Sequence, residues 1–215
     1  MVVDYLKYKL LARHKNGFGV HSPFVFDLLS FVFFDDNAFY AFKTTEQFLQ
    51  KTYGKSFNRH NIKYYRLIFR LANYFSAKKM LIVGKNPFIE KYFLSVSKKS
   101  HIVSLEKLEN LPKENLPQTL SQNFKKLFDN EKNVPFDIIF FPTHNIIYYE
   151  DVIKSPLVSE NSILIFEKFS CTKTEKAVWQ KIVDDNSLKI SIDIFKYGIV
   201  FIKKDFPKQH YLVKY

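Results

Sequence analysis

Apolar positions along the 215-residue chain change their period near Met80. Before it they recur at helical spacing. Leu6, Leu10, Leu11 and His14 share one helical face, followed by the loop Lys15-Asn16-Gly17-Phe18-Gly19. Ser22-Pro23 then supplies an N-cap and a first-turn proline for an apolar helix over 24–34. Further helices are expected at 44–53 and at 61–75, where Tyr65, Ile68, Phe69, Ala72 and Phe75 repeat on one side. Residues 1–76 therefore read as an all-helical N-terminal extension packed on the main domain.

From Met80 onward the pattern becomes short apolar runs, at 80–83, 102–105, 136–141, 162–166, 188–195 and 199–203, alternating with candidate helices at 87–97, 117–129, 147–154 and 172–185. Continuous apolar strands separated by helices predict a parallel sheet covered on both faces, so residues 77–215 read as an α/β domain. Lys196-Tyr197-Gly198 is too short for a crossover. The last two runs must form an antiparallel hairpin, with the Ile199 strand at or near one edge. Pro112 and Pro117, and the lack of a β run, predict no strand between Leu105 and Phe136.

The first strand runs into a single glycine, Gly84, and the turn after it, Lys85-Asn86-Pro87-Phe88, has no other. Nucleotide-binding α/β domains place small residues here so that backbone can approach the ligand. The chain has the frame of such a site and little of its usual composition.

Composition sharpens this picture only in part. With 24 Phe and 13 Tyr the core is expected to be rich in rings, and five Gly leave few places for unusual backbone. The net charge of +12 invites an anionic partner. The lysine pairs at 78–79, 98–99, 125–126 and 203–204 fall at the ends of different elements, however, so they read as solvated charges, with no nucleic acid and no membrane among the expected partners. A single cysteine, Cys171, excludes an intramolecular disulfide and a cysteine zinc cluster and fits a reducing compartment. The interleaved charges of residues 1–10 lack an apolar leader core, and a cytoplasmic protein is expected.

Two segments carry a resemblance. His21-Ser22-Pro23-Phe24-Val25-Phe26-Asp27-Leu28-Leu29, and Phe195-Lys196-Tyr197-Gly198-Ile199-Val200-Phe201 with Pro207-Lys208-Gln209-His210-Tyr211, resemble small bacterial class I S-adenosylmethionine-dependent methyltransferases. The resemblance implies a three-layer Rossmann-like methyltransferase fold: a mainly parallel sheet with one antiparallel strand and the third strand missing. It also implies S-adenosylmethionine as cofactor, bound at the carboxyl ends of the strands, with methyl transfer to an unknown small molecule by in-line attack.

Carried over by position, Gly84 matches the first glycine of the cofactor motif, and Glu106 matches the carboxylate that holds the ribose hydroxyls. Ile82 stands where the motif is acidic, and Asn86-Pro87-Phe88 replaces the glycine turn. In related metal-dependent O-methyltransferases, carboxylates at the ends of the fourth and fifth strands bind Mg²⁺. Here Pro142 and Lys168 leave Glu167 as the charged oxygen donor, either alone or paired with Lys168, and no metal is expected. His144 is the candidate general base, and the alternative for it is a polar loop residue. His21 and His210 read as structural, Cys171 and Trp179 as packing. The alternative to an enzyme is an inactive pseudo-methyltransferase, retained as a binding or assembly module with an unknown protein partner, whose cofactor pocket is filled by aromatic and lysine side chains. Whether the chain is an enzyme stays open between these two.

Overall fold

The computed structural model describes residues 2–14, 17–57, 59–105, 127, 129–131, 134–168 and 172–215. Four helices lead: α1 (Val2–Leu11), α2 (Pro23–Leu28), α3 (Tyr40–Tyr53) and α4 (Ile62–Tyr74). Ser22 caps α2 by accepting from the Val25 N–H, with Pro23 in the first turn. The helix then widens into a π-helical turn, Leu29–Phe33. Its end is closed by the buried Arg70 of α4, whose guanidinium donates to the carbonyls of Val32 (2.6 Å) and Phe33 (3.1 Å). That long-range cap satisfies oxygens that a helix end leaves orphaned.

The remainder supplies β1 (Lys79–Ile82), α5 (Pro87–Val96), β2 (His101–Ser104), β3 (Ile138–Phe141), α6 (Tyr149–Ile153), β4 (Ile163–Glu167), α7 (Lys173–Asp184), β5 (Ile190–Asp193), β6 (Tyr197–Phe201) and β7 (Gln209–Leu212). They build one seven-stranded sheet in the order β2-β1-β3-β4-β6-β5-β7. Every neighbouring pair is parallel except those made by β6, which runs against β4 and β5. Alternate residues feed two cores. Ile82, Phe140, Ile165 and Ile199 pack under α2–α5, while Leu81, Phe141, Phe166 and Val200 pack under α6 and α7. The result is three layers, as the runs of apolar residues predict.

Two expectations need correction. The Ile199 strand, β6, is interior rather than at an edge: β5 lies beyond it, and β7, which the pattern of residues 207–215 did not signal, adds a parallel strand outside β5. The apolar face assigned to the first helix also points the wrong way. Tyr8 and Ala12 face inward, and Leu6, Leu10 and Leu11 are exposed. The reason is the partner on the buried side. The Tyr8 hydroxyl donates to the Val213 carbonyl and accepts from the Tyr215 N–H (3.0 Å), and Arg13 bridges to Val213, so a polar tether to the last strand fixes how α1 is turned. Among the described residues no strand lies between β2 and β3; all of 106–126 falls outside them.

Candidate functional site at the carboxyl edge of the sheet

Open α/β sheets bind ligands beyond the carboxyl ends of their strands. Here that edge carries Gly84 after β1, Pro142 to Asn145 after β3, Glu167 and Lys168 at the end of β4, and the Ile194-Phe195-Lys196 turn between β5 and β6. Glu106 lies outside the described residues. Asn61, Tyr64 and Tyr65, from the start of α4, lie over this edge: Lys196 donates to Asn61 Oδ1 (2.9 Å) and the rings of Tyr64 and Tyr197 are 5.4 Å apart.

Gly84 has φ +125°, which only glycine adopts without strain. The structure assigns that freedom to an internal contact. A β-carbon built on Gly84 would lie 2.1 Å from Asn145 Nδ2, and this amide donates to the Val83 carbonyl at 2.6 Å. Asn86 then caps α5, accepting from the Ile89 N–H (3.1 Å), with Pro87 in the first turn. Phe88 closes the turn from the helical side. Its ring sits 5.3 Å from Tyr53, 5.7 Å from Phe57 and 5.9 Å from Tyr65. Ile82, at the motif's acidic position, is fully buried in the core.

At the other end of the edge, successive residues part to opposite faces of the sheet. Glu167 faces α4. It accepts from the Tyr197 hydroxyl (3.1 Å), and Thr143 and the Asn86 amide lie on the same side and act to lower its pKa. Burial nonetheless outweighs these donors and pushes the Glu167 carboxyl above its ordinary range. Lys168 faces α7, where its ammonium meets Asp193 at 2.5 Å and lies 4.5 Å from the Trp179 ring centroid. The Trp179 indole also donates to Asp193 (2.9 Å). Glu167 and Lys168 are therefore not a local pair, which corrects that reading of the sequence. Trp179 packs as expected, and Gly198 makes room for it, since a β-carbon there would stand 2.1 Å from the ring.

His144 points out of this cluster. Its side chain is 81% exposed, and its ring meets Glu175 (2.8 Å), the third residue of α7 and the acid of that helix's capping box with Thr172. The cluster that the fold does assemble, Glu167 with Tyr197, Thr143 and Asn86, was assigned to no site by sequence reasoning. In the structure Glu167 stands opposite Tyr197 on the antiparallel β4–β6 pair, whose strands are separated in sequence by α7 and β5.

Neither group implied by the resemblance fits the described residues well. Burial raises the Glu167 carboxyl and so disfavours the anionic form that a hard cation requires. Among the described residues no group of three or more His, Cys, Asp and Glu could hold a metal ion. At Gly84 the approach that S-adenosylmethionine needs is taken by Asn145 and flanked by Phe88. A cavity of about 540 Å³ lies elsewhere, lined by Lys43, Glu46, Gln47 and Gln50 of α3 with Phe57 and Ile62. No described helix is long and apolar enough to cross a membrane.

No family model matches the sequence, and no curated protein matches it. Solved structures do. A candidate caffeoyl-CoA O-methyltransferase from Staphylococcus aureus is similar over 77% of this chain and 93% of its own, with 13% identity and a TM-score of 0.50. The SAH-bound methyltransferase of Podospora anserina is similar over 77% and 89%, with 11% identity and a TM-score of 0.48. The strand order, the one antiparallel strand within the hairpin and the likeness to the staphylococcal structure together give the chain the fold of the class I S-adenosylmethionine-dependent methyltransferases.

Proposed function

We propose that this chain is a pseudo-methyltransferase: a class I methyltransferase fold kept as a cytoplasmic binding or assembly module, with its own side chains in the cofactor turn. One observation carries the reading. The single glycine of the turn is spent on Asn145, whose amide sits where a β-carbon of residue 84 would be. Phe88 among three aromatic rings and the buried Glu167, bonded to Tyr197, support it independently. The test is calorimetric titration of the full chain with S-adenosylmethionine and with its demethylated product. No saturable binding is expected.

A second reading, methyl transfer to a small molecule, is favoured by one specific feature. The Ser104 hydroxyl, at the end of β2, is buried and has no hydrogen-bond partner. Glu106, which the resemblance assigns to the ribose, follows two positions later in the sequence, outside the described residues. A nucleoside hydroxyl that reached Ser104 would satisfy the orphaned oxygen. In that case binding is micromolar, and Glu106→Gln weakens it by about one to two decades, the loss of a hydrogen bond to a charged group. Binding of that kind overturns the first reading.

A further inference from the structure

Helix α1 turns its apolar side to solvent. Leu6 and Leu10, one turn apart, are 54% and 84% exposed, and Leu11 is 63% exposed. Beyond the helix, Phe18 stands 82% exposed at the tip of a turn between Gly17 (φ +80°) and Gly19 (φ +74°). The His14 ring holds that turn to the end of α1 by donating to the Phe18 carbonyl (3.0 Å). At roughly 100° per residue, Lys7 and Lys9 fall on opposite flanks of the Leu6–Leu10 row. The one acidic residue of the helix, Asp4, is engaged by Lys176 at 3.0 Å.

We propose that α1 and the Phe18 turn form a docking surface for an anionic lipid bilayer, with the helix lying in the plane of the headgroups. A row of leucines flanked by lysines on both sides is the pattern of an interfacial helix. The charge decides the occupant. In a chain of net charge +12, two copies of this face would bring four lysines against one another, whereas the cytoplasmic leaflet attracts each of them. The surface is distinct from the carboxyl edge of the sheet and stands whether or not that edge binds a cofactor. It replaces the expectation that no membrane is involved.

The test is flotation of the full chain with vesicles of phosphatidylcholine alone, or with about one third phosphatidylglycerol, the anionic lipid supplying the surface potential. Flotation is expected with the anionic vesicles, not with the neutral ones, at about 0.1 M salt, and its loss near 1 M, where the screening length falls to ~3 Å. The doubles Leu6→Gln/Leu10→Gln and Lys7→Gln/Lys9→Gln are each expected to lower partitioning at least about tenfold. Unchanged melting temperature and far-ultraviolet dichroism verify that both remain folded. Absence of flotation, or flotation indifferent to both doubles, overturns the proposal. So does light scattering that reports a dimer which the leucine double converts to a monomer, because the occupant is then a second copy.

Discussion

The two ends of the carboxyl edge differ in kind, one presenting a backbone feature and the other a titratable side chain. At β1 stands a glycine at positive φ, and the space a β-carbon would take there is filled by Asn145. At β4 stands a titratable side chain, Glu167, that is buried and accepts from the Tyr197 hydroxyl. In both places a residue type that suggests ligand binding is consumed by the protein itself. A residue matched to a motif reports what the backbone permits at that position, and its neighbours decide what the permission is used for.

The largest expected effect lies just behind Glu167. Lys168 and Asp193 are only 9% and 13% exposed, and removing one partner of such a pair leaves an uncompensated charge. Lys168→Met is expected to cost about 3–5 kcal/mol in denaturant unfolding. Adding Asp193→Asn should recover most of it. A loss below about 1 kcal/mol, as for exposed pairs, breaks the claim that this side of the edge is a sealed structural unit.

The β1 end comes next. Gly84→Ala combines strain at φ +125° with displacement of the Asn145 amide and is expected to cost roughly 2–4 kcal/mol. Asn145→Ala leaves the Val83 carbonyl without its side-chain donor and is expected to cost about 1–3 kcal/mol. In a double-mutant cycle the two should couple by roughly 1 kcal/mol or more, the Gly84→Ala penalty being smaller once Asn145 is gone. Additive effects would return the glycine to a ligand role.

The pH effect at Glu167 is smaller. Its folded pKa is raised above the ordinary 4.5, so between 4.5 and the raised value the folded state holds more protons than the unfolded one. Stability contributed by the protonated form is therefore complete below 4.5 and is lost as pH rises through the folded pKa. Melting temperatures across that window should fall for the natural chain and stay flatter in Glu167→Gln. A fall of equal steepness in both assigns the effect to another group. Smallest of all, Tyr197→Phe removes one donor, at about 0.5–1.5 kcal/mol, and extends the same window upward.

Much of the architecture followed from local rules. The change of period at Met80 divided helices from strands, Ser22-Pro23 and Asn86-Pro87 marked two helix starts, and the short link before Ile199 required the hairpin. These are decided by neighbours in the chain, through backbone sterics, capping and side-chain periodicity. β7 escaped because Gln209-His210-Tyr211-Leu212 has no alternating apolar pattern; it pairs through backbone hydrogen bonds along β5.

What the sequence by itself determined was the class of fold, the single antiparallel strand and which residues end the strands at the carboxyl edge. Tertiary structure alone decided the contacts at that edge: Asn145 reaching Gly84 across 61 residues, Glu167 meeting the Tyr197 hydroxyl, and His144 turning to Glu175. It also decided which side of α1 faces water, through the tether from Tyr8 to Val213. Periodicity is a property of neighbours in sequence. Satisfaction of a buried polar group depends on whichever segments the fold brings within about 3 Å, and one strand read alone does not contain them.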